Sequence, residues 1–127
     1  MGFKFEKLDV WKKNIDLSIE IHNMTKKWPK EEIYVLTSQI KRASDSISLN
    51  LTEGSTGQSN AEFSRFLGYA IRSALEVVNC LYPGNGRELI DQREFDQFYD
   101  KLTDIVKMLQ GLRNSLKWQK NLLTMDY

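Results

Sequence analysis

Reactive side chains are scarce in this chain. Its 127 residues include one cysteine and one histidine. A lone cysteine excludes an intramolecular disulfide framework and any cysteine-based metal cluster. One histidine excludes a multi-histidine site, and a di-iron carboxylate bundle needs a Glu-x-x-His pair on each of two helices. Charge of one sign is lacking too: 18 Lys+Arg face 17 Asp+Glu, for a net charge of +1. Bulk electrostatics therefore provides no argument for nucleic acid. No apolar run is long enough to span a membrane, and none stands at the N-terminus as a signal peptide would. The expected compartment is the cytosol. Phosphate-loop, dinucleotide and nucleophile-elbow motifs are all missing from the sequence, so no metal, no cofactor and no catalytic residues are expected.

Proline is nearly absent, at 2 residues, and the hydrophobic share is 41%. That composition suits one folded helical domain over residues 1–127 and leaves little room for a second. The opening MGFKFEKL alternates apolar and charged residues, as a short extended arm would. Asp9 can then cap a helix. Leu17, Ile21, Met24 and Trp28 recur at steps of four, three and four, which is the helical period. The first helix is predicted over 9–28, ended by Pro29. A second over 30–53 carries the stripe Leu36, Ile40, Ala43, Ile47 and Leu51, with Gly54 as a left-handed C-cap. Ser44, Ser46 and Ser48 are poor helix formers, so packing should hold that stretch. Ser59 with Glu62 reads as a capping box. It opens a third helix over 60–82, with Leu67, Ala70, Ala74, Leu75 and Val78 in its apolar set. The run Pro83-Gly84-Asn85-Gly86 is the strongest breaker in the chain. Asp91 with Glu94 repeats the capping box and opens a fourth helix over 91–120. Four long helices with short connections predict an all-α, antiparallel up-down-up-down four-helix bundle.

Three groups of residues stand out from that frame. Asn50 borders the second apolar stripe, and a polar group there needs partners. With Glu53 it either satisfies the helix end, the loop and the third helix, or forms a recognition surface. Residues 107–120 hold Lys107, Arg113, Lys117 and Lys120 with no acid. Arg113, Lys117 and Lys120 share a helical face. Such a face is either simply solvated or a phosphate-binding surface, which ring assembly would multiply. Aromatics are the third group. Trp11, Trp28, Tyr34, Tyr69, Tyr82, Phe98, Tyr99, Trp118 and Tyr127 cannot all face one narrow core, and marginal Trp and Tyr are typical interface anchors. Of these, Trp11, Trp28, Tyr34, Tyr69 and Trp118 are the candidate oligomer interface. Leu49 also lies off its helix's stripe. His22 is expected at a boundary, and Cys80 as a small core group.

Several of these segments resemble a known family. The segments are Leu8-Asp9-Val10-Trp11, Trp28-Pro29-Lys30-Glu31-Glu32, Leu36-Thr37-Ser38-Gln39-Ile40, Ser46 through Gly54, Ser59-Asn60-Ala61-Glu62-Phe63, and Met108-Leu109-x-Gly111-Leu112. Together they resemble the small four-helix-bundle proteins associated with intervening sequences of bacterial 23S rRNA genes, also called S23 ribosomal proteins. The resemblance covers residues 8 to about 118 and marks Asn50, Glu53, Gly54, Ser59 and Glu62 as structural motif positions. It departs from the family pattern at Leu51-Thr52, at Gln58 where an Arg is common, and at Tyr82 through Gly86. The resemblance implies a homo-oligomer, with a pentamer favoured, and a relation to the basic accessory proteins of diversity-generating retroelements. The resulting expectation is a non-enzymatic oligomeric scaffold. The alternative is a nucleic-acid-binding accessory protein.

Overall fold

The computed structural model describes the backbone of residues 2–57 and 59–125, and the side chains of residues 2–57 and 59–116. Four α-helices dominate it: α1 (Asp9–Thr25), α2 (Ser38–Ser55), α3 (Asn60–Gly86) and α4 (Gln92–Met125). No strand is present among the described residues. α1 packs on α2 and α4, and α3 packs on the same two helices. The fold is therefore an all-α four-helix bundle with one continuous core. All four residues of the first stripe and all five of the second are buried in it.

The ends of the helices follow local chemistry that differs in places from the sequence-based expectation. The N-terminal segment is a 3-10 turn over Lys4–Lys7, not an extended arm. It brings the ring of Phe5 to 5.1 Å from that of Trp11. α1 stops at Thr25, and the Trp28 N–H closes a turn on the Thr25 carbonyl at 3.0 Å. The second helical run begins with a 3-10 turn at Lys30–Glu32 and a π-turn at Ile33–Thr37, and becomes α-helical only at Ser38. Ser44 and Ser48 bond back to the carbonyls of Lys41 and Asp45 at 2.9 and 3.0 Å. Backbone-bonded serines are weak helix formers, and here they sit within a helix held by its buried face.

Gly54 is not a left-handed cap. α2 runs past it to Ser55, and the left-handed glycine is Gly57, at φ 58°. Gly54 is needed for close approach: a Cβ there would lie 2.7 Å from Phe66 Cβ and 3.0 Å from Phe63 Cδ1. At the start of α3, Ser59 Oγ accepts from the Glu62 N–H at 3.1 Å, which is one half of a capping box. Asp91 and Glu94 make both halves: Glu94 N–H to Asp91 Oδ1 at 2.8 Å, and Asp91 N–H to Glu94 Oε1 at 3.3 Å.

α3 also continues through Pro83 to Gly86. It ends in a paired closure about Glu88, at φ 61°. The Glu88 N–H reaches the Asn85 carbonyl at 3.0 Å, and the Leu89 N–H reaches that of Gly84 at 2.8 Å. These two bonds form a Schellman motif, a stronger local stop than the proline three residues before the last helical position. Gly84 is buried beneath Ile90 and Leu36, 3.7 and 3.8 Å from where its Cβ would stand.

The Gly54 contact generates a direct test. Gly54→Ala forces α2 and α3 apart against two phenylalanines. It should destabilise the protein by about 1–3 kcal/mol, although alanine is the better helix former. A urea unfolding midpoint unchanged or raised would contradict this account of the packing.

Candidate interaction surface

The outer groove between α2 and α3 combines a polar floor with an apolar rim. Asn50 Nδ2 donates to the Ser46 carbonyl at 2.9 Å and lies 3.2 Å from Ser46 Oγ. Ser73 of α3 donates to Ser46 Oγ at 3.0 Å. Asn50 thus joins a seam that ties the two helices together. Glu53 lies beyond it with an exposed side chain, while its carbonyl accepts from the Thr56 hydroxyl at 2.7 Å. Around this floor stand exposed apolar and aromatic side chains. Tyr34 is 92% exposed, Leu49 63%, Val35 53% and Leu75 52%. Tyr69 is also exposed. Leu75 departs from its expected place in the core, because the buried register of α3 passes through Ala74 one residue earlier. Gln39, Arg42, Ser46, Ser73 and Glu76 line the groove with Tyr34 and Val35. The π-turn over Ile33–Thr37 places Tyr34 and Val35 at the groove's end.

The other candidate aromatics separate. Trp28, three residues beyond the end of α1, is buried in the core. Trp11 is half-buried against Phe5. The side chain of Trp118 lies outside the described residues. Of the basic candidates, Lys107 is exposed, and the side chains of Lys117 and Lys120 lie outside the described residues. Arg113 is half-buried and turned toward α3. Its Nε donates to Ser64 Oγ at 3.2 Å. Its guanidinium carbon lies 3.3 Å from where a Cβ on Gly68 would stand. The lack of a side chain at Gly68 opens the space into which the guanidinium folds.

Two polar features were not anticipated. Asn14 is fully buried, and its Nδ2 donates to the Ser44 carbonyl at 3.0 Å across α1 and α2. It extends the Leu17–Ile21–Met24 stripe backwards by three residues, so its burial was legible in the spacing. Nearby, Asp45 of α2 accepts from Ser18 and lies 3.2 Å from His22 Nε2 through each carboxylate oxygen. Seryl nucleophiles need the imidazole between hydroxyl and acid, whereas both groups here address the same carboxylate. Among the described residues, no group of three or more His, Cys, Asp or Glu could hold a metal ion. Burial, and then the Glu76 carboxylate, push the Cys80 thiol above its ordinary pKa, which disfavours the reactive thiolate. No helix among the described residues is long and apolar enough to cross a membrane.

The chain belongs to the 23S rRNA-intervening sequence protein family, whose model matches residues 6–111. It is similar to a crystal structure of a protein of unknown function from the S23 ribosomal protein family of Bacteroides thetaiotaomicron. The two share 27% identity at a TM-score of 0.77, over 83% of this chain and 95% of that one. No curated protein matches the chain.

The packing of Arg113 sets an expectation that differs from that for a phosphate contact. Arg113→Ala should lower the unfolding free energy by about 1–2 kcal/mol, through lost packing and a lost hydrogen bond. A denaturation midpoint indistinguishable from the parent's would mean that the guanidinium contributes no packing.

Proposed function

We propose that this chain is a non-enzymatic helical scaffold that works as a homo-oligomer. A ring of five copies is the stoichiometry its family resemblance implies. The observation that carries the reading is the rim of exposed tyrosine and aliphatic side chains along α2 and α3. Isolated exposed apolar residues are ordinary on a protein surface, but a contiguous set around a groove marks an interaction site. Sedimentation at micromolar concentration should find an assembly heavier than the 14.8 kDa chain. A monomer under those conditions would sink the reading.

A second reading is favoured by the family's connection to 23S rRNA and by Lys107, which is exposed on α4. In it the assembled scaffold binds structured nucleic acid in the cytoplasm, the setting in which a relation to retroelement accessory proteins would also act. Phosphate contacts release counterions, so affinity should fall steeply between about 50 and 200 mM salt. Absence of binding to structured RNA and duplex DNA at the low-salt end would dispose of it.

A further inference from the structure

We propose that the stretch of the α2/α3 groove next to the Ser46–Ser73 contact binds a zwitterionic α-amino acid. Its carboxylate would lie on Arg42, its ammonium on Glu76, and an apolar side chain toward Tyr34 and Val35. The site lies within a single chain and does not depend on the homo-oligomer reading.

The first ground is where the two charges stand. Gly54 meets Phe63 and Phe66, while Ser46 meets Ser73, so α2 and α3 run antiparallel. Arg42 is four residues before Ser46, and Glu76 is three residues after Ser73. Both therefore lie about one turn from the serine contact, on the same side of it. They line one open groove from opposite helices, with a volume of about 580 Å³. Sites for small molecules usually span ~300–1,000 Å³.

The second ground is that neither charge is paired within the chain. Among the described residues, no carboxylate lies within ion-pair distance of Arg42 and no cation within that distance of Glu76. Arg72, also beside Glu76, lies over the Tyr69 ring, 5.9 Å from its centroid. Asp45 is turned toward Ser18 and His22 of α1. Arg42 donates through Nη2 to Ser38 Oγ at 3.0 Å. That bond steadies the guanidinium and leaves its other N–H groups for a carboxylate.

The third ground is the class of ligand that such a groove accepts. A simple anion on Arg42 also faces the Glu76 carboxylate, and a simple cation on Glu76 also faces Arg42. An α-amino acid carries both charges close together and sets each against its opposite. The rest of the groove suits its other parts. Ser46 and Ser73 provide a hydroxyl floor, and the exposed Tyr34 and Val35 provide an apolar end. An aliphatic or aromatic side chain laid on those two removes apolar surface from water. Ion pairs at exposed sites are individually weak, so the expected Kd is on the order of 1 mM.

The test titrates the full chain with L-leucine, N-acetyl-L-leucine and L-leucinamide, and follows backbone amide shifts by NMR. L-leucine should give saturable shifts at Ser46 and Ser73, and each blocked compound should bind about tenfold more weakly. Arg42→Gln should weaken L-leucine by a similar factor but leave L-leucinamide unaffected, since that compound has no carboxylate to lose. Glu76→Gln should weaken L-leucine and leave N-acetyl-L-leucine unaffected, since it has no ammonium. No saturable shift with L-leucine up to about 50 mM overturns the proposal. Equal affinities for the three compounds, or shifts confined to another face, overturn it as well. So does L-leucine binding that neither substitution changes. Both side chains are exposed. Should either variant lose the parental unfolding midpoint, the comparison of the three compounds on the parent chain decides alone.

Discussion

The close approach of α2 to α3 governs much of the rest of the molecule. The two helices meet along small residues: Gly54 under Phe63 and Phe66, and Ser46 against Ser73. Where side chains are small, backbones come near, and the larger groups on each helix are pushed to either side of the line of contact. On the inner side Ile40, Ile47, Leu67 and Ala74 close the core. On the outer side Val35, Leu49, Tyr69 and Leu75 cannot reach it, and remain in solvent. The exposed rim is thus the geometric counterpart of a tight seam.

The polar groups of the seam have the same origin. A serine or asparagine at a half-buried position must find a partner or destabilise the fold. Asn50 and Ser73 both find theirs in Ser46, which makes the groove floor a shared network and not a row of separate caps. The α1/α2 side is built by similar means, with Asn14 held by the Ser44 carbonyl and Ser18 and His22 held by Asp45. Both faces of α2 are tied by hydrogen bonds to their neighbours. That compensates for a helix rich in serine and entered through a π-turn.

How much was legible beforehand depended on the range of the forces involved. Helical period and capping act over three or four residues. Accordingly Leu17–Ile21–Met24 and Leu36 through Leu51 marked buried faces, and Asp91 with Glu94 marked a helix start. The stop of α3 was misread because a Schellman closure about Glu88 depends on a left-handed non-glycine residue, which composition does not flag. Gly54 was seen as special for the wrong reason, since its neighbours Phe63 and Phe66 lie on another helix. Trp28 was both a stripe residue and a surplus aromatic, and the stripe decided its place.

By itself the amino-acid sequence determined the four-helix class, the core stripes, the start of α4 and the scarcity of reactive groups, because each follows from residue type and short-range spacing. Only the tertiary structure decided that Arg113 folds into the gap over Gly68, that Leu75 faces solvent, and that Ser46 meets Ser73. Those relations join residues tens of positions apart. They exist only once the packing of the helices has set the rotation and level of each against its neighbours.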